Sequence, residues 1–195
     1  PITDGVLTWG VKASWRGYAG EPQLSGGVTQ PDPWDADAGS YGGPFEFPVT
    51  SGSYDADTGT THLQADGTIR WQKYHGSTQT PPAGWTGGTD LFVLDVAISD
   101  PEVTISADGA FVTAEVVSRN FGTWQLVDHG RIRLVDLQVA GRTPILDAGT
   151  TTWKQLTASL TESAAHGAFS DSYDAGQIVD PVTVTYVGAG GVPVV

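Results

Sequence analysis

Ser14 and Tyr18 stand four residues apart in the stretch "WGVKASWRGYAG", residues 9–20. Trp9, Ala13 and Arg16 recur at helical spacing, which predicts a short helix over 9–19 with Ser14 and Tyr18 on one face. His75 ends a stretch of period two, "IRWQKYHG", and Tyr173 lies in "FSDSYDAG" near the end of a second predicted helix. A phenol that loses its proton is a hard, anionic oxygen donor, and an imidazole can hydrogen-bond and tune such a donor. Each residue alone also has an ordinary reading. A tyrosine at a helix end packs half-buried, and a histidine at a strand end is solvated.

Other chemistries are poorly supported. "DADAG" (35–39) and "DADTG" (55–59) echo the start of a calcium loop. Glycine stands where a further oxygen donor is needed and the later glutamate is missing, so both read as turns in which Asp bonds its own backbone. No G-x-S-x-G or H-E-x-x-H motif occurs, and nothing points to a facing carboxylate pair. With no cysteine and no methionine, disulfides, thiolate metal sites and methionine ligation are excluded. This sulfur-free composition suits an exposed, oxidising location. Seven tryptophans in an acidic β-rich chain suggest sugar stacking, against the reading that large aromatics form core.

The elements that must position these residues are mostly strands. The 195 residues carry a net charge of −13, which argues against nucleic acid and anionic lipid as partners. No composition break divides them, so residues 1–195 are expected to form one domain. No signal peptide or membrane span is seen, and a start at Pro1 suggests a mature or excised domain. Gly, Asp, Thr and Ser punctuate the chain at short intervals, as many short strands joined by turns require. "FEFPVTSGSYDADTGTTHLQADGTIRWQKYHG" reads as strand, turn, strand, turn, strand. "LFVLDVAISDPEVTISADGAFVTAEVVSR" reads as a strand pair, and "GRIRLVDLQVAG" as a further strand. "TTWKQLTASL" is strand-like and leads to a helix, with Thr161 as its cap and Gly176 as its stop. "DPVTVTYVGAGG" closes with a strand. The expected fold is mostly β, an antiparallel β-sandwich or flattened barrel with two short α-helices carrying the site.

"LTWGVKASWRGYAG", "ADGTIRWQKYHG", "LDVAISDPEVTI" and "LTESAAHGAFSDSYDAGQIVDPVTV", in that order over nearly the whole chain, resemble the HtaA domain family. These are haem-binding domains of cell-surface haem-uptake proteins in Gram-positive actinobacteria. The resemblance implies a secreted or cell-surface haem-uptake or relay module, not an enzyme, with haem b as cofactor. Its implied donors and acceptors are host haemoproteins or other haem-uptake proteins. It implies Tyr18 as the axial iron ligand, His75 hydrogen-bonded to that phenol, Tyr173 beside the haem and Ser14 reaching a propionate. A phenolate suits ferric haem.

Departures from the family pattern are Trp15, Ser172 and the loop "STQTPPAGWTGGTD" (77–90), which is able to cover the haem edge. On a helical reading His166, Phe169 and Tyr173 share a face, so His166 is a candidate second polar group or distal ligand. Its ordinary reading is an exposed helix-start residue. His62 and His129 read as surface strand or turn residues. Two other readings compete: a carbohydrate-binding β-sandwich of the cell envelope, and an adhesive envelope module.

Overall fold

Alternation of apolar and polar residues becomes eleven strands in a computed structural model that describes residues 1–188. β1 (Asp4–Trp9) leads into α1 (Ala13–Ala19), the single α-helix among the described residues, and then β2 (Gln23–Ser25). β3 (Phe45–Asp55), β4 (Thr60–Ala65) and β5 (Thr68–His75) follow. Next come β6 (Phe92–Ser106), β7 (Gly109–Arg119) and β8 (Leu126–Gln138), of which β6 and β8 are the longest strands described. β9 (Ile145–Asp147), β10 (Thr150–Leu160) and β11 (Ile178–Val187) complete the set. Residues 189–191 of the closing segment read above lie outside the described residues.

Of the sandwich and the flattened barrel expected, the pairing excludes the sandwich. Strand order runs β6-β4-β3-β1-β11-β10-β8-β7, and β7 pairs back onto β6, closing eight antiparallel strands into a barrel. β2 and β5 extend from β6, and β9 edges β10. A sandwich and a barrel share the same period-two pattern, so alternation does not separate them. Closure is decided by the β6–β7 and β7–β8 ladders, which leave no free edge at the seam. Alternate residues fill the interior: Leu7, Trp9, Phe45, Phe47, Val112, Trp153, Val182 and Val184 are all buried.

The second predicted α-helix is also corrected. Thr161 does cap a helical turn, accepting from the Ala164 amide at 3.1 Å. Only one π-helical turn forms, Ala164–Ala168, with the Phe169 amide bonded to the Ala164 carbonyl. Ser170 and Asp171 then adopt left-handed φ of 45° and 61°, which no helix continues. Phe169 is 1% exposed, so burial of that ring wins over the weak helical preference of the segment. Tyr173 and His166 therefore do not stand on an α-helix, and the site is not carried by two helices.

On the edge away from β7, β6 serves two neighbours. Its later half pairs β4 and its earlier half pairs β5, which runs on beyond the barrel toward His75. Gly67 and Asp100 make the switch: the Gly67 amide donates to the Asp100 carboxylate at 2.9 Å, and the Asp100 amide to the Gly67 carbonyl at 2.8 Å. Gly67 has φ +112°, and a Cβ there would lie 2.4 Å from Val28 and 2.8 Å from the Ser25 carbonyl. Gly67→Ala is therefore expected to cost about 2 kcal/mol or more in urea unfolding. An unchanged urea midpoint would show that this switch is not constrained.

Candidate functional site

A helix of seven residues has little stability of its own, so α1 depends on what holds it. Lys12, at its N-cap, offers no side-chain cap. Asp180, at the start of the β11 ladder, supplies one by accepting from the Ala13 amide at 3.1 Å. The same carboxylate pairs with Arg16 at 2.5 Å, and Arg16 also donates to the Gly10 carbonyl at 2.6 Å and the Gly42 carbonyl at 3.2 Å. The backbone closes the knot: the Asp180 amide donates to Val11, and the Trp9 indole to Asp180. A Cβ on Gly10 would sit 2.3 Å from the Asp180 carboxylate and 2.5 Å from the Arg16 guanidinium, so only glycine fits there. Val11 is held at φ 62°, a strained conformation for a β-branched residue, at the corner between β1 and α1.

So anchored, α1 buries Trp15, Arg16 and Ala19 and turns Ser14 and Tyr18 outward, as their spacing predicts. Trp15 continues an aromatic column that rises from the core. Phe45 and Trp71 lie 5.8 Å apart, Trp71 and Trp15 5.8 Å, and Trp15 and Phe169 5.0 Å. At its top Trp15 meets Tyr18 at 6.0 Å and Tyr173 at 6.4 Å. Ser14 and Tyr173 share a hydroxyl–hydroxyl bond of 3.2 Å. Three of the sequence-predicted residues are thus brought together by one tryptophan. The indole N–H of Trp15 is buried and has no partner in the protein.

Tyr18 also borders an open cleft of ≈ 280 Å³ lined by Tyr74, Gln79, Val93, Leu94 and Phe121. Lys73 donates to the Tyr18 carbonyl at 2.6 Å. Burial, followed by the neighbouring Tyr74 and Tyr173, pushes the Tyr18 phenol above its ordinary value. It therefore keeps its proton at neutral pH and becomes a phenolate only against a strong Lewis acid.

His75 makes its hydrogen bonds within its own loop. Its Nδ1 accepts from the Ser77 amide and meets the Ser77 hydroxyl at 2.7 Å, while Nε2 faces Asp90 at 3.3 Å. Its ring packs edge-on against Phe92 at 5.5 Å. Its bonds fix the start of the 77–90 loop and none goes to Tyr18. That loop is held further on by Trp85 against Trp124 at 5.9 Å, and it brings Gln79 to the cleft. His166 is exposed and pairs with Asp171 and Glu162, apart from the tyrosines. His62 lies on a strand surface against Thr104 and Glu102, as read from the sequence. His129 is instead half-buried and bonded to Ser118 at 2.9 Å, against the π-helical turn. Asp35 and Asp55 each accept backbone amides two and three residues on, so the acidic motifs are turns.

Sequence reading missed the Arg16–Asp180 pair, Tyr74 and the far wall of the cleft. Arg16 and Asp180 both lie inside the motifs quoted above, and Tyr74 directly precedes His75. Their roles depend on pairing across the chain that no local pattern carries.

Fold and site define a closed antiparallel β-barrel with a tyrosine-bearing aromatic cleft beside α1. The chain belongs to the HtaA family, whose model, described as Htaa, matches residues 4–185. Three solved structures from Corynebacterium glutamicum are similar to it. The N-terminal domain of HtaA has a TM-score of 0.71 and 20% identity over 97% of this chain and 99% of that one. The C-terminal domain of HtaA has a TM-score of 0.67 and 23% identity over 95% and 97%. The haem-binding protein HtaB has a TM-score of 0.68 and 15% identity over 95% and 93%. At these identities the likeness is one of fold. Comparison with curated protein sequences finds no significant match.

The side chains of Arg16 and Asp180 are 10% and 25% exposed. Asp180→Ala leaves Arg16 unpaired and α1 uncapped. It is expected to cost about 2 to 3 kcal/mol in urea unfolding and to raise amide exchange across 13–19. Unaltered exchange in α1 would show that the helix is held by other contacts.

Proposed function

We propose that this chain binds ferric haem b through the Tyr18 phenolate and acts as a single haem-uptake or relay module, not an enzyme, in a secreted or cell-surface setting. The observation that carries the reading is the exposed Tyr18 phenol at the mouth of an apolar cleft. Membership of the HtaA family and the fold likeness to the haem-binding protein HtaB support it. Haem-uptake proteins or host haemoproteins would be donor and acceptor.

The residues present fit the group. Among the described residues no cluster of three or more His, Cys, Asp or Glu could hold a bare metal ion. An iron already held by a porphyrin needs one axial donor from the protein, and ferric iron favours a hard oxygen. The cleft of ≈ 280 Å³ is near the lower end of small-molecule sites, roughly 300 Å³. Val93, Leu94 and Phe121 would face its apolar surface.

Haem would supply a ferric centre that takes a hard oxygen donor, and Tyr18 would be the residue that holds it. Tyr18 must give up its proton to ligate. Trp15, closed beneath it, excludes water and fixes its ring. Ser14, already bonded to Tyr173, would turn its hydroxyl to a propionate, with the Lys12 ammonium 5.6 Å above the Tyr173 ring as the nearby positive charge. Tyr173 would flank the haem. His75 would border the site by holding the 77–90 loop, and His166 would remain at its rim. Five of the seven tryptophans, Trp9, Trp15, Trp71, Trp124 and Trp153, are buried, which removes most of the basis for a sugar-stacking platform.

The sign of the pH dependence follows from the raised Tyr18 phenol. Below that pKa each haem bound releases one proton, so affinity is expected to fall about tenfold for each unit of pH lost. Haemin titrations of the wild type and Tyr18→Phe at several pH values test this. Tyr18→Phe should lose the phenolate charge-transfer band and the pH slope together. A variant that binds haemin with the wild-type spectrum would overturn the ligand assignment.

A further inference from the structure

Loop 77–90 departs from the family pattern, and the haem reading leaves it without a role of its own. Its two ends are tied together. The Gly76 amide donates to the Leu91 carbonyl at 2.7 Å, the Gln79 amide to the Gly76 carbonyl at 3.1 Å, and the Thr78 hydroxyl to the His75 carbonyl at 2.8 Å. Between these ends the loop is exposed except at Pro82 and Trp85. The bonds of its middle stay inside it: the Trp85 amide donates to the Pro82 carbonyl at 3.1 Å and the Trp85 indole to the Gly88 carbonyl at 3.2 Å. Gly87 lies so close to that indole that a Cβ there would come within 2.3 Å of it. The aromatic contact that carries the loop onto the barrel is Trp85 itself, edge-on against Trp124 with centroids 5.9 Å apart.

The seat beneath Trp85 is fixed. Trp124 is 3% exposed, and its carbonyl accepts from Arg119 at 2.7 Å. Arg119 also donates to the Phe92 carbonyl at 2.8 Å and lies 4.0 Å from Asp95, whose carboxylate Arg70 grips with two bonds of 2.8 Å. Asn120 closes the turn by accepting the Gly122 and Thr123 amides at 2.9 and 3.0 Å. That turn brings Phe121 to the cleft, and loop 77–90 brings Gln79 to it. One part of the wall is therefore rigid, while the part at Gln79 belongs to a surface loop with few buried contacts, the kind of segment that opens at low cost. We propose that loop 77–90 is a strap at the cleft, and that Trp85 is the positioning residue that seats it on Trp124 and sets how fast haem leaves. The proposal rests on the haem reading above. With Trp85 seated, Gln79 stays at the cleft and the ligand is retained; with Trp85 lifted, Gln79 moves away and the way out widens.

Transfer of haemin to apomyoglobin, followed at the Soret band, reads the rate of release. Trp85→Ala should release haem about three- to tenfold faster than the wild type, the scale of one aromatic pair. Its tyrosinate charge-transfer band should stay where it is in the wild type, because Trp85 does not line the cleft. Amide exchange of the free protein gives a second reading that needs no haem. In Trp85→Ala it should quicken across 77–91 and stay at the wild-type rate across 13–19. Trp85→Phe, which keeps an aromatic ring on Trp124, should recover most of the wild-type release rate. Wild-type release from Trp85→Ala, unchanged exchange across 77–91, or a Trp85→Phe variant as fast as Trp85→Ala overturns the proposal while leaving Tyr18 as ligand. Faster exchange across 13–19 as well would reveal a loosened fold in place of a lifted strap and overturn it too. A wild type that takes up no haemin overturns the haem reading itself, and the proposal with it.

Discussion

Everything at the site hangs on the ion pair between Arg16 and Asp180, 2.5 Å apart. One partner comes from the opening of the chain and the other from its last strand. β1 and β11 are neighbours in the barrel, with Trp9 opposite Val182, so closure of the barrel brings the two motifs face to face. The pair then does three things. It caps a helix too short to persist alone, it forbids any side chain at Gly10, and it fixes the strained corner at Val11. A buried ion pair is weak evidence for net stability, because desolvation offsets much of its attraction. Its use here is orientation: it sets which face of α1 is buried and therefore where Tyr18 points.

The aromatic column built on that anchor connects core to cleft. Phe45, Trp71, Trp15 and Phe169 interlock at 5.0–5.8 Å, mostly edge to face, and this arrangement leaves little room for Trp15 to shift. Tyr18 and Tyr173 sit on top of it, half in the protein and half outside. The same packing raises the Tyr18 pKa, so the free phenol is neutral and nearly inert as a ligand. If Tyr18 ligates ferric haem as proposed, affinity would come from the iron displacing that proton. A site of that kind would hold its ligand at neutral pH and loosen in acid.

Much of this was legible in sequence, and the failures have particular causes. Ser14 and Tyr18 were placed on one exposed face by spacing alone, because Trp15 and Arg16 leave no other register. The hairpin of β6 and β7 was legible from alternation and the turn at "ADG". The choice between sandwich and barrel was not, because closure is made by ladders between distant strands that impose no local pattern. The second helix failed because Phe169 is drawn beneath Trp15 and two left-handed residues follow it. That ended the helical register shared by His166 and Tyr173. The left-handed φ of 60° at Tyr74, which interrupts the alternation just before His75, was not legible in a period-two reading of "IRWQKYHG".

The most direct test of the central claim is resonance Raman spectroscopy of the ferric haem complex, excited in the charge-transfer region, on protein carrying ring-deuterated tyrosine. The account predicts enhanced tyrosinate modes that shift on deuteration and are absent from Tyr18→Phe. A ferric complex that lacks those modes, or that keeps them in Tyr18→Phe, would contradict the claim that this fold exists to present Tyr18 to iron.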